Sequence, residues 1–308
     1  YGPATTVTVT ASWTDSSAAS GEDVVKEELG GADVCTRIAG SAHNEAPDDE
    51  AAIDMARLYL SYFPSRAGQP SPRSRGPDAE PRTVEELLDV IPPNDRRPYD
   101  MHDVIDLIAD DGSFFEVQPA YGPAIIVGLA RFGGRPSAIV ANNPAHLAGS
   151  VDAAAAIKAT DFLEVIGHYD HPVVFLADNP GVMAGTRAER EGILKWGGKM
   201  YKAERRLTNP KVEITMRKAF GFGSVVMAQN PFDNQTQSFC LPSVNMAAMP
   251  AEAGGRSAKL DPETQAQVER DQRSGPYRLA NRLGSDDVID PRDMRNAILN
   301  SFTLADNR

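Results

Sequence analysis

Hydrophobic positions along the chain change their spacing several times, and each change marks an element. Val7, Val9 and Trp13 alternate with polar residues, which predicts a short strand ahead of a Ser/Ala-rich loop. Residues 48–63 carry Ile53, Ala56, Leu58, Leu60 and Phe63 behind an acidic start, the pattern of a helix with negative charge at its favourable end. Residues 64–98 are crowded with Pro, Ser and Arg, have almost nothing to bury, and read as an extended linker. One short helix, TVEELLDVI, is expected at the linker's far end.

From residue 99 the alternation becomes regular. PYDMHDVIDLIADDG predicts a helix, and AIIVGLARFGGRPSAIVANNP predicts two strands around a turn at Gly133 and Gly134. SVDAAAAIKATDFLEVIGHYD predicts a helix with Val151, Ala154, Ala155, Phe162, Val165 and Ile166 on one face. HPVVFLADNPG follows as a strand, AEREGILKWGGKMYKAERRLT as a second helix, and NPKVEITMRK as a third core strand. The order β-β-α-β-α-β describes a layered α/β domain whose active surface lies at the strand ends. The shift in composition divides the chain into 1–63, a linker at 64–98, and a main domain at 99–308.

Charge narrows the function. Lys and Arg number 31 against 43 Asp and Glu, a net charge of −12, which excludes the basic footprint of a nucleic-acid binder. Lys199, Lys202, Arg205 and Arg206 cluster on the second helix and read as a solvated face, with a phosphate contact as the other use. Cys35 and Cys240 form neither a disulfide framework nor a metal-ligand spacing and fit a reducing compartment. No apolar run approaches the roughly 20 residues of a membrane span, and no signal-peptide pattern is visible, so a cytoplasmic protein with no membrane partner is expected.

Three glycine-containing loops follow strands on one expected edge: residues 141–152 (ANNPAHLAGSVD), 177–186 (ADNPGVMAGT) and 219–224 (AFGFGS). Helix starts present unpaired N–H groups, and glycine lets a ligand approach them closely, so such loops suit a phosphate or a developing oxyanion. No phosphate-loop, dinucleotide, G-x-S-x-G or zinc pattern accompanies them. His146 and His168 stand alone, and Asp178 reads as a turn former or a base. Close strand–helix packing explains Gly221 and Gly223 as well as anion binding does.

Taken together, these segments resemble a known family. The stretch PYDMHDVIDLIADDGSFFEVQPAYGPAIIVGLARFGGRPSAIVANNP is similar to the opening of the C-terminal domain of the carboxyltransferase (beta) subunit of biotin-dependent acyl-CoA carboxylases, the propionyl-, acetyl- and methylcrotonyl-CoA group. ANNPAHLAGSVD, ADNPGVMAGT and RKAFGFGS fall in that family's order and spacing. EELGGADVCTRIAGSAHNEAPDDEAAI resembles the end of its N-terminal domain, and SGPYRLANRLGSDDVIDPRDMRNAI its C-terminal end. The resemblance implies a crotonase-like (ClpP/crotonase) α/β spiral of ββα units. On that reading 1–63 is the end of the N-terminal carboxyltransferase domain and 99–308 the C-terminal one.

The implied activity moves CO2 from carboxybiotin to the α-carbon of an acyl-CoA. The backbone amides of Phe222 and Gly223 would form the biotin-side oxyanion hole, with Gly149, Gly181, Gly221, Ser224 and Val225 binding biotin or substrate. The family's Ala-Met-Lys-Met attachment signature does not occur here, so the cofactor biotin is expected on a carrier partner. The other implied partners are a biotin carboxylase and a second carboxyltransferase chain, in a hexamer. A decarboxylase or transcarboxylase subunit, or a non-catalytic structural subunit, are the alternatives. Phe222 stands where many relatives have glycine and is expected to narrow the pocket. Val225 replaces a residue often acidic in propionyl-preferring members and suggests a different acyl group. Pro250 and Glu252 also depart from the family pattern.

Overall fold

The computed structural model describes residues 24–66, 68–74, 76, 79–229, 235–272, 275–281 and 284–307; the strand expected at Val7, Val9 and Trp13 lies outside them. Among the described residues, eight strands form one mixed sheet. β1 (Phe115–Val117), β2 (Ile125–Phe132) and β3 (Arg135–Asn142) pair antiparallel. β3, β4 (Val173–Asn179), β5 (Lys211–Phe220), β6 (Gln235–Cys240) and β8 (Asp287–Val288) run parallel, and β7 (Asn245–Ala247) adds to the far end of β5. The β2–β3 hairpin turns at the expected glycines. Their φ values of +60° and +76° are the left-handed conformations that a tight two-residue turn requires.

The helices, in chain order, are α1 (Lys26–Gly30), α2 (Asp49–Leu60), α3 (Leu87–Val90), α4 (Met101–Ile108), α5 (Ala153–Ile166) and α6 (Thr186–Arg190). They continue as α7 (Ile193–Arg206), α8 (Gly221–Val226), α9 (Ala251–Ala258), α10 (Pro262–Gln272), α11 (Tyr277–Ala280) and α12 (Met294–Asp306). Aspartates cap α2, α4 and α5: Asp48 accepts from Ala51 N, Asp100 from His102 N, and Asp152 from Ala155 N. The single helix expected over 188–208 is broken at Gly192, whose φ of +79° ends one helix and starts the next.

Helices cover both sheet faces. On one, α5 and α7 place Ala155, Ala159, Phe162, Ile166 and Met200 against Val127, Leu129, Val140 and Phe175. On the other, α4 and α12 place Val104, Ile105, Ile108, Met294 and Ile298 against Ile126, Ile139, Val174 and Ile214. The buried stripe of α5 runs 155-159-162-166, true helical spacing, so Ala154 and Val165 of the expected face are only half-buried. The helix expected over 48–63 forms as α2, yet none of its residues is fully buried: Tyr59 packs on the core, while Ile53 is 52% and Leu60 54% exposed. Within 64–98, Val84, Leu87 and Ile91 are core residues, Val84 N donates to Arg292 O at 3.0 Å, and Ser71 hydrogen-bonds Asp170.

One polar stripe crosses the core on β5. Lys211 Nζ pairs with Glu204 Oε1 at 2.6 Å, both buried, and Thr215 donates to Glu213 Oε1 at 2.5 Å. Burial pushes the Glu213 carboxyl up from 4.5 to about 8. The folded state then keeps a proton that the unfolded chain has already released above its own pKa. This contribution is full below that unfolded value and is lost as pH rises toward 8. Urea unfolding should show wild-type stability falling by about 1.4 kcal/mol per pH unit across this window, relative to Glu213→Gln. A difference between the two proteins that does not change with pH contradicts the burial effect.

Candidate functional site

The three loops meet at the carboxyl ends of β3, β4 and β5. Two buried asparagines join them. Asn142, ending β3, donates from Nδ2 to Gly149 O at 3.1 Å, while its Oδ1 accepts from Asp178 N at 3.1 Å and from Asn179 Nδ2 at 3.0 Å. Asn179, ending β4, accepts at Oδ1 from Gly181 N at 3.0 Å, and its Nδ2 reaches Gly223 O at 3.5 Å. Val151 N donates to Gly181 O at 3.2 Å and ties the first loop to the second.

Glycine is required at these crossings by space. A Cβ on Gly149 would stand 2.2 Å from Asp178 O, and its φ is +82°. One on Gly223 would stand 2.3 Å from Asn179 Oδ1 and 2.6 Å from the Gly181 backbone. Gly221 has φ +54° and would meet Ala248 O at 2.8 Å. Close packing, the reading given for Gly221 and Gly223, therefore holds at both, and Gly149 is packed in the same way. Gly181 differs, because a Cβ there would meet nothing nearer than Phe220 O at 3.5 Å.

β5 runs directly into α8, and no side chain caps that helix start. The first amides of any helix lack an intrahelical acceptor, so the N–H groups at 221–223 are donors with no local partner in the helix. The Phe222 ring packs against α7, over Gly197 and edge-on to Tyr201 at 6.4 Å. Ser224 is buried and its hydroxyl donates back to Gly221 O at 2.7 Å, while Val225 is half-buried.

Beneath the loops lies a buried ionic group. Arg217 Nε donates to Asp178 Oδ2 at 2.7 Å, and both side chains are fully buried. Tyr99 OH donates to the same oxygen at 3.0 Å and its ring lies under the guanidinium. Arg217 Nη1 also donates to the carbonyls of Asn94 and Arg97, at 3.0 and 2.8 Å, which anchors residues 92–97. Lys218 Nζ lies 3.7 Å from Asp178 Oδ1 and donates to Ala148 O at 3.3 Å, with burial pushing its pKa down. Asp178 is thus an ion-pair partner, neither a turn former nor an exposed base. The loop that Lys218 holds has Leu147 and Ala148 at φ +49° and +54°, strained for residues with a Cβ.

A second chain of charges enters the first loop from the side. Asn143 Nδ2 donates to Asp100, whose carboxylate meets His102 Nδ1 at 2.6 Å, and His102 Nε2 meets Glu116 at 2.9 Å. The Glu116 hydrogen bond lifts His102 to about 9, and burial lowers Lys158, 3.7 Å from Glu116, to about 8. His146 and His168, the isolated histidines of the sequence, are both exposed. Among the described residues there is no group of His, Cys, Asp and Glu able to hold a metal ion, and no helix long and apolar enough to cross a membrane.

Sequence reasoning placed the three loops but missed Asn142, Asn179, Tyr99 and Arg217. Each of these acts across strands, and an asparagine beside proline or glycine reads locally as a turn.

A carboxyl transferase domain matches residues 9–308. The chain is 34% identical to the alpha subunit of methylmalonyl-CoA decarboxylase from Veillonella parvula, over 92% of this chain and 56% of that protein. It is 33% identical to the carboxyltransferase subunit of propionyl-CoA carboxylase from Haloferax mediterranei, over 91% of this chain and 56% of that one. The transcarboxylase 12S crystal structure, a hexamer with hydrolysed methylmalonyl-CoA bound, superposes with a TM-score of 0.88 at 33% identity, covering 95% of this chain and 58% of that one. The fold is the crotonase-like α/β fold of these carboxyltransferases. The chain spans a little over half the length of the relatives it matches.

Proposed function

The chain belongs to the carboxyl transferase family, and on that premise we propose that it forms the biotin half of a carboxyl-transfer site acting on an acyl-CoA. The observation that carries the reading is the convergence of three glycine loops on an uncapped helix start at the edge of the parallel strands. These residues fit a biotin ureido group: the amides are uncapped, and the bare Cα of Gly181 leaves room beside them.

Biotin, if bound in its carboxylated form, would supply the carboxyl group to be transferred. The N–H groups of Phe222 and Gly223 would hold its ureido oxygen and stabilise negative charge there, in a place set by Asn179 through Gly181 and Gly223. A single preorganised donor of this kind is worth roughly 3 kcal/mol of barrier. Gly221, at positive φ, makes the sharp passage from β5 into α8 that aims them. Lys218 and Asn142 hold the 147–149 turn against the same edge.

The ring of Phe222 lies against α7, so its expected narrowing of the pocket is not needed to explain the residue. That placement favours a catalytic subunit over a purely structural one. Likeness to a decarboxylase and a transcarboxylase supports the reverse direction equally, because both directions use the same donors. Biotin would arrive on a carrier subunit charged by a biotin carboxylase, and a second carboxyltransferase chain in a hexameric assembly would supply the acyl-CoA half. The division into 1–63 and 99–308, joined through 64–98, is proposed on the same basis.

The test uses the full-length protein with its carrier. Label should pass between carboxybiotin and an acyl-CoA. Absence of label transfer with propionyl-, acetyl-, methylcrotonyl- and longer acyl-CoA esters would leave the structural-subunit reading standing.

A further inference from the structure

The exposed face of α7 carries cations at Lys195, Lys199, Lys202 and Arg206. Their spacing of four, three and four residues puts them in one line along about 16 Å of helix. Arg205 lies exposed beside them. The helix has one acidic residue, Glu204, and it points inward to pair with Lys211, so nothing on the helix itself neutralises the line. Asp161 on α5 lies near Lys199, and Glu164 of the same helix lies near Asp161. On a chain of net charge −12 this is a local reversal of sign.

Three further features set the face apart from an ordinary solvated one. Trp196 is held half-buried with the ammonium groups of Lys195 and Lys199 over its ring, at 4.9 and 4.2 Å. Leu194 beside it is 61% exposed. The other side of α7 packs on the proposed donor loop, through Gly197 and Tyr201 against Phe222. The line of charge therefore lies on the same helix that packs on the donor loop, one helix width away from it.

We infer that this face docks the biotin carrier protein through an acidic surface on the carrier. The inference rests on the proposed biotin site. An acidic carrier approaching a chain of overall negative charge is attracted along α7, which favours encounters made at this face. Opposed charge of this kind acts mainly on the rate and orientation of encounter. The Trp196 ring and Leu194 offer the short-range apolar contact that the charges surround.

The experiment compares wild type with Lys195→Glu/Lys199→Glu and Lys202→Glu/Arg206→Glu in the full-length assembly. Charge-neutral Lys195→Gln/Lys199→Gln serves as the milder pair. Carboxyl transfer is measured with the biotinylated carrier and, separately, with free biotin. The KM for carrier should rise on the order of tenfold in the Glu pairs and less in the Gln pair, and wild-type kcat/KM for carrier should fall steeply with salt. Rates with free biotin and the KM for acyl-CoA should not change.

Unaltered carrier kinetics would return α7 to the status of a solvated face. A raised KM for acyl-CoA would assign the cations to coenzyme A phosphates. Dissociation of the assembly would assign them to a subunit interface. Any of these overturns the inference. A wild type that moves no carboxyl group to or from free biotin defeats the underlying site instead.

Discussion

Asp178→Ala is expected to destabilise the domain by about 3–5 kcal/mol, because it strands a fully buried guanidinium. Arg217 would keep its carbonyl partners at Asn94 and Arg97 but lose the anion that balances its charge. Tyr99 would lose its acceptor as well. Arg217→Leu should also be strongly destabilising, because it leaves the buried carboxylate with only Tyr99 OH at 3.0 Å and the Lys218 ammonium at 3.7 Å. The double variant should cost less than the sum of the two, since the surviving partner's penalty disappears. Urea unfolding of all three measures this. Losses under about 1 kcal/mol, or full additivity, would show that the pair is not a buried clamp.

Gly223→Ala carries the second large effect, on activity. Its new Cβ would lie 2.3 Å from Asn179 Oδ1 and 2.6 Å from the Gly181 backbone. Asn179 is itself fixed by Asn142, so the side chain cannot yield without opening the junction of all three loops. A displacement of about 1 Å at a reacting centre can cost on the order of 100-fold, and carboxyl transfer should fall by that much or more. Gly198→Ala is the control. It lies on α7 with nothing within 4 Å of its added Cβ, and should gain about 0.5–1 kcal/mol of stability without loss of activity. Equal activities of the two variants would refute the tight junction.

Much of this architecture is legible in the sequence. Gly133 and Gly134 between alternating apolar runs mark the hairpin, and the runs at 173–179 and 211–220 mark the parallel centre of the sheet. The resemblance supplied the loops' chemistry. The cross-strand partners were hidden for a physical reason. Asn142 meets Asn179, and Asp178 meets Arg217, only through the register of β3 with β4 and of β4 with β5, including the irregularity between Ala177 and Asn179. β6 escaped notice because QTQSFC has polar residues on both faces. In α2 the apolar pattern correctly indicates a helix and misleads about burial, since Ile53 and Leu60 find no cover among the described residues.

The central claim concerns a backbone N–H, which ordinary substitutions leave in place. Gly223 cannot test it cleanly, because any side chain there collides with Asn179. Phe222 can. Both Phe222→Ala and Phe222→Pro lose the ring packed on α7, but only proline loses the amide donor. Proline is tolerated in the first turn of a helix, and Gly221 before it has no Cβ for the proline ring to strike. Carboxyl transfer to free biotin by the full-length protein, with folding matched by urea unfolding, should be on the order of 100- to 1,000-fold slower for Phe222→Pro than for Phe222→Ala. Equal rates for the two would mean that the Phe222 amide does not stabilise the oxyanion.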